Sequence, residues 1–223
     1  MSAFPLPSGP RRRTVLRGLL AGGAVVTAGA AVSACSSSAP AAPTSTPAVR
    51  RVLLAYFSRP GENYYYGGRR DLKVGNTEVL AGMIADRTAC DVHRIQAAAP
   101  YPDDYDATVA RNVREQDDDA RPAIANPLSS IDGYDTILLG SPIWNVRAPM
   151  IMTTFAEGLD FRGKTVVPFT SYAMSGLGTT ERDYAASCPG ATIADGLAVR
   201  GEEVRDSGNE IDGWLRRLAL PLS

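Results

Sequence analysis

The chain predicts an α/β fold, a doubly wound five-stranded parallel sheet with helices on both faces. Three observations lead there. From about residue 50 onward, short apolar runs alternate with runs of helical period. The strongest apolar runs are continuous, which suits strands covered on both sides. Strict alternation of the two segment types implies parallel pairing through crossover helices. Five strands suit the order 2-1-3-4-5, with a ligand site at the carboxyl ends of the strands.

The first strand is Arg51-Val52-Leu53-Leu54-Ala55-Tyr56-Phe57. Val92 to Gln96 is shorter and more polar, and suits an edge. Asp135 to Gly140 and Lys164 to Phe169 are the third and fourth strands; Pro168 is awkward in a central strand and is expected near its end or at a bulge. Ala191 to Val199 is the last strand, interrupted around Asp195-Gly196. Between them, 77–88 places Val79, Leu80, Met83 and Ile84 on one helical face, and 103–119 does the same with Tyr105, Val109 and Val113. Pro149 opens a helix over 150–158, and 179–187 is a short fourth. Ser207-Gly208-Asn209-Glu210 reads as a capping box before Ile211, Trp214, Leu215 and Leu218. No internal repeat is present.

Composition narrows the function. Of 223 residues, 44% are hydrophobic and 21% charged, so a packed core is expected without disulfides or a metal. Residues 1–34 hold Arg11, Arg12, Arg13 and Arg17 and no acid; the remainder carries 19 basic and 24 acidic residues. That mildly acidic balance argues against nucleic acid as a partner. The single histidine, His93, argues against metal sites and most histidine-assisted nucleophiles.

The N-terminal 50 residues read as an address and a tether. The arginines precede an uncharged Leu, Ala, Gly and Val run over 18–34, ending at Val32-Ser33-Ala34-Cys35. Residues 1–34 thus have the parts of a signal peptide; a transmembrane helix is the competing reading of the same run. Arg12-Arg13 before Val15-Leu16 resembles a twin-arginine signal. Val-Ser-Ala-Cys resembles a bacterial lipobox, which implies lipidation at Cys35 and a place on the outer face of the cytoplasmic membrane. A leftover thiol is the plain alternative. Residues 35–49, beyond Cys35, are Ser, Pro, Ala and Thr up to Val49 and carry no charge, a composition for a spacer, and 50–223 are the globular domain.

Three loops at strand ends carry the candidate chemistry. Between Ser58 and Thr77 lies a long segment ending in Gly75-Asn76-Thr77 at a helix start, where free N–H groups and a hydroxyl suit a phosphate. Taken alone, Asn76 or Thr77 reads more simply as a plain helix cap. The second loop contains Pro142, Ile143, Trp144 and Asn145; Trp144 either stacks on a ring system or packs into the core. The third runs over Thr170, Ser171, Tyr172, Ser175, Gly176 and Gly178, offering small residues and backbone N–H groups, or serving as a connector.

Taken together, these three motifs resemble the flavodoxin-like family, and within it a bacterial branch in which an insertion, here residues 59–74, splits the first loop. The resemblance implies FMN as cofactor. By analogy, Ser58, Asn76 and Thr77 hold the phosphate beside Gly75, Pro142 to Asn145 lie along one side of the isoalloxazine, and Thr170 to Gly178 line its pyrimidine edge. It also implies an electron-transfer protein that docks a redox partner, which the N-terminal signal would place outside the cytoplasm. Two other readings stay open: an FMN-dependent NAD(P)H:quinone-type reductase, and a non-flavin extracytoplasmic binding protein. Relatives often carry Gly after the Trp; here Asn145, tolerant of positive φ, and the stiff Val146 follow. A phosphoacceptor receiver needs acids where Phe57-Ser58 and Gly140-Ser141 stand. A serine hydrolase needs Gly-x-Ser-x-Gly, and Ser175 sits in Ala-Met-Ser-Gly-Leu. Cys90 and Cys188 fall near opposite sheet edges, too far apart to bridge.

Overall fold

The computed structural model describes residues 51–220. The expected signal segment 1–34, Cys35 and the spacer 35–49 lie outside the described residues. Among the described residues no helix is long and apolar enough to cross a membrane.

Five-stranded parallel topology is realised with one refinement. Strand β1 (Val52–Tyr56) pairs with β4 (Asp91–Arg94) on one side and β5 (Thr136–Pro142) on the other; β5 pairs with β6 (Thr165–Tyr172). The far edge is made by two short pieces, β7 (Thr192–Ile193) and β8 (Leu197–Arg200), both parallel to β6. In chain order this is 2-1-3-4-5 with the last strand broken at Asp195-Gly196, where the sequence predicted an interruption.

Pro168 departs from expectation. It sits in the middle of β6, in register with Leu139, not near an end. The Val166 carbonyl accepts from Ala194 on the outer side, and successive residues of a strand alternate sides, so Pro168 turns the same way. Its missing donor therefore faces the gap between β7 and β8, and no ladder bond is lost there.

Alternation along β1 sorts the core into two layers. Leu53, Ala55 and Phe57 join Ile137, Leu139 and Val166 against α3 (Met150–Glu157), through Ile151, Met152 and Phe155. Val52, Leu54 and Tyr56 join Leu138, Val167 and Phe169 against α1 (Asn76–Ala85) and α5 (Gly208–Arg217), through Leu80, Ile84, Ile211, Trp214 and Leu215. Helix α4 (Thr180–Ser187) closes the first face with Tyr184.

Two helical expectations change. Helix α2 (Tyr105–Asp117) buries Thr108 and Asn112, while Val109 and Val113 are exposed. Polar anchors orient it instead: Asp104 caps its N-terminus through Ala107 N–H (2.7 Å), the Thr108 hydroxyl donates to the Pro102 carbonyl, and Arg111 pairs with Glu115 at 2.7 Å. The capping box is not formed. A 3-10 helix (Gly201–Asp206) runs straight into α5, so Ser207 is near-helical and its hydroxyl donates back to the Val204 carbonyl at 2.7 Å.

The sixteen-residue insertion is structured. Strands β2 (Gly61–Tyr65) and β3 (Gly68–Leu72) form an antiparallel hairpin. Its two-residue turn has positive φ at both Tyr66 (44°) and Gly67 (85°), the primed turn that matches strand twist. Cys90 and Cys188 are free; burial pushes the Cys188 thiol up to about 12. His93 is a half-buried residue of β4 whose ring stacks on Phe155 at 6.0 Å.

Candidate functional site

The carboxyl ends of β1, β5 and β6 deliver the three loops to one cleft. Ser58, Asn76 and Thr77 reach it from the first, Pro142, Ile143 and Trp144 from the second, and Ser171 and Tyr172 from the third. Residues of the hairpin, of α2 and of the 3-10 helix complete the wall.

At the first loop, two segments seventeen residues apart are pressed together. Gly75 is the N-cap of α1 and supplies no side chain to it. Ser58 does that work from a distance, its Oγ accepting from Glu78 N–H at 3.1 Å. Approach is so close that a Cβ on Gly75 would lie 2.3 Å from Ser58 Oγ and 2.4 Å from the Arg59 carbonyl oxygen. Only glycine fits between them. The Thr77 hydroxyl is buried and meets Ser171 Oγ at 2.7 Å, tying the start of α1 to the end of β6. Neither Asn76 nor Thr77 is the plain helix cap.

In the second loop, Trp144 packs against the core and also stands at the cleft. Its ring makes edge contacts with Tyr101 at 5.1 Å and Phe57 at 5.8 Å, and the residue also lines the cleft. Its backbone pairs with Arg147 across a two-residue turn, Trp144 N–H to Arg147 O at 2.8 Å and Arg147 N–H to Trp144 O at 3.3 Å. The turn residues Asn145 (φ 48°) and Val146 (φ 62°) both occupy the left-handed region. Val146, expected to resist such a conformation, adopts it. The third loop holds it there: Thr179 N–H donates to the Val146 carbonyl at 2.8 Å. A Cβ on Gly178 would stand 2.1 Å from that oxygen.

Not every residue singled out by sequence reaches the cleft wall. Thr170 is fully buried and its hydroxyl donates to the Gly176 carbonyl at 3.1 Å, so it shapes the third loop from behind. Gly75, Asn145, Ser175, Gly176 and Gly178 are likewise absent from the lining, in segments that form the wall or turn beside it. Sequence reasoning missed Arg59, Asn63, Tyr64, Tyr105, Gly201 and Glu202, all of which line it, as does Ala173 within the third loop. The signal for Arg59 was its place beside Ser58. At Gly201 the Asn76 side chain comes close, its Nδ2 2.5 Å from where a Cβ would be. For the hairpin and Tyr105, nothing local in the sequence announced a shared wall.

Hydrogen bonds lock the hairpin over this end of the molecule. Arg69 makes a bidentate pair with Asp106 at 2.7 and 2.8 Å and lies over the Tyr105 ring at 4.2 Å. At the tip, Tyr66 N–H donates to Glu202 Oε1 at 2.9 Å. Around the base, Arg59 donates to the carbonyls of Pro102 (2.7 Å), Asp103 (2.9 Å) and Glu62. Among the described residues no cluster of His, Cys, Asp or Glu could hold a metal ion.

Comparison with known proteins places this architecture. A protein from Bacteroides uniformis classed as a flavoprotein is 30% identical over 75% of this chain and 98% of its own, with a TM-score of 0.60. A second, from Bacteroides eggerthii, is 28% identical over 77% of this chain and 99% of its own, with a TM-score of 0.59. A Lactobacillus acidophilus flavoprotein, solved in complex with FMN, shares the fold at 17% identity, 72% and 99% coverage and a TM-score of 0.50. None of the curated proteins compared matches. The family model for flavodoxin spans residues 72–218, from the end of the hairpin to the end of α5. With that match covering most of the described residues, and the parallel sheet and loop-lined cleft already in place, the chain belongs to the flavodoxin family.

Proposed function

We propose that this protein binds FMN in the three-loop cleft and serves as an exported, lipid-anchored electron carrier. The observation that carries the reading is the meeting of Ser58, Asn76, Thr77 and Ser171 with Trp144 and Tyr172 on one cleft at the carboxyl ends of parallel strands. The residues present fit the group. Hydroxyl and amide donors, the start of α1 and the side-chain-free Gly75 suit a phosphate in a first loop split by the hairpin. Trp144 and Tyr172 offer aromatic faces to a flat ring. The Lactobacillus relative in complex with FMN supports the same choice.

Bound FMN supplies a ring that takes up and gives off electrons. The chain's own part is to position and shield it. Ser58 and Thr77 orient donors at the phosphate end, Trp144 keeps water from one side of the ring, and the loop from Ser171 to Gly178 brings backbone groups to its polar edge. Residues 1–35 support twin-arginine export and anchoring through Cys35, with the redox partner met outside the cytoplasmic membrane.

Titration of FMN with the purified protein tests the reading. Flavin fluorescence should fall to a one-to-one endpoint, and Trp144→Ala should weaken binding about tenfold through lost stacking and burial. Unchanged fluorescence would overturn the proposal. A carrier shows no sustained NAD(P)H oxidation when loaded with flavin; turnover would make the protein a reductase instead.

A further inference from the structure

Helix α2 turns a polar face inward. Thr108 and Asn112 are buried, while Val109 and Val113 stand in water. A buried amide is costly unless its hydrogen bonds are met. An apolar stripe on the inner face would therefore hold the helix at lower cost. The polar stripe continues one turn further, from Asn112 to Gln116 at i+4. What Gln116 touches explains why it is there.

The Gln116 amide nitrogen carries two protons and meets two acceptors. One is Asn112 Oδ1 at 3.2 Å, a turn back on the same helix; the other is the Trp144 carbonyl, also at 3.2 Å, in the second loop. That carbonyl begins the turn in which Asn145 and Val146 both hold positive φ. On the far side of the turn, Thr179 N–H donates to the Val146 carbonyl at 2.8 Å. A strained turn is thus held at both ends by groups outside it. Helix α2 also reaches the indole. Tyr101, whose ring meets that of Trp144 at 5.1 Å, donates its hydroxyl to Glu115 at 2.7 Å and lies under the Arg111 guanidinium at 3.8 Å. Consecutive residues of one helix therefore fix the ring neighbour and the backbone of one tryptophan.

Resting on the FMN reading, we propose that Gln116 is a positioning residue: it sets the place of Trp144 in the cleft wall, and through it the strength of flavin binding. Gln116 does not itself line the cleft. The buried Asn112 aims its amide. Without this bridge the left-handed turn is free to relax, and Trp144 moves with it. A stacking face that must be ordered as the ring arrives binds more weakly than one already in place.

Two measurements test this. In flavin-free protein carrying fluorotryptophan, Trp144 and Trp214 give one fluorine resonance each, and Trp144→Phe identifies the first. Gln116→Met keeps the length of the side chain and loses both donors. It should shift or broaden the Trp144 resonance and leave that of Trp214 unmoved. Gln116→Glu, an isostere whose carboxylate faces two acceptors, should do the same. An unchanged Trp144 resonance in both variants would overturn the assignment. Dissociation constants for FMN, from fluorescence quenching, then form a double-mutant cycle. Gln116→Met should weaken FMN binding about threefold to fivefold in the wild-type background, the size of one neutral hydrogen bond, and have no effect in the Trp144→Ala background. Equal weakening in both backgrounds would make Gln116 a brace of the fold at large and overturn the assignment, as would no weakening in either. A wild-type protein that binds no FMN overturns the FMN reading; the fluorine resonances alone then decide whether Gln116 places Trp144.

Discussion

Val146 carries a conformational cost that its side chain does nothing to offset. It is β-branched, stands at φ 62° and is 56% exposed, so no burial compensates the left-handed backbone. Such a residue is strained by about 1–3 kcal/mol. Asparagine tolerates the same region, and the carbonyl that accepts from Thr179 N–H belongs to the backbone and survives substitution. Val146→Asn should therefore stabilise the protein by about 1 kcal/mol, read as a higher urea midpoint at unchanged slope. An equal or lower midpoint would mean that the turn is relaxed as it stands. The sequence announced Trp144 and Asn145 at this place, through residue type alone. It could not announce the left-handed backbone of Val146, because the clamp arrives from Gly178 and Thr179, more than thirty residues on.

The hairpin was the least legible element. Gly-Glu-Asn-Tyr-Tyr and Gly-Arg-Arg-Asp-Leu lack the apolar alternation of a half-buried strand, and Tyr66-Gly67 is not an obvious primed turn. Its partners lie elsewhere, in Asp106, Glu202 and the Asp103 carbonyl, which accepts from Glu62 N–H. The Arg69–Asp106 pair is exposed, 38% and 74% at the two side chains, so solvent screens it and its contribution is small. Asp106→Asn should raise amide exchange in β2 and β3 by about two- to fivefold through easier local opening, with β1, β5 and β6 unchanged. Arg69 holds the Asp106 carboxyl below its ordinary range. A depressed carboxyl contributes stability above its unfolded pKa, about 3.9, and loses it as pH falls through the folded value. Wild type and Asp106→Asn should thus differ at neutral pH and converge in acid; a difference that persists in acid would assign the effect to something other than the ion pair. The parallel strands, by contrast, were legible because burial on both faces imposes continuous apolar runs. Helix α2 misled because Val109 and Val113 keep helical spacing on a face that meets solvent.

At the scale of the whole molecule, parallel pairing followed from alternation, the order 2-1-3-4-5 was the one that suits five such strands, and the break at Asp195-Gly196 was visible as an interruption of the last strand. The position of Pro168 was not, because it depends on which neighbour its missing N–H faces. The proposed address is testable on the full chain. Cys35→Ala should move the protein out of the membrane fraction, and Arg12→Lys with Arg13→Lys should leave it uncleaved in the cytoplasm; wild-type fractionation of both variants would discard the signal reading. A protein concentrated on a membrane surface meets copies of itself at high local density, and exposed sheet edges are where such copies fuse into aggregates. Here one edge is the four-residue β4, with the charged Asp91 and Arg94 at its ends, and the other is β7 and β8, two and four residues long and interrupted between them. The broken last strand thus leaves an incoming chain no continuous template to extend, so the interruption that accommodates Pro168 also guards the sheet against its own kind.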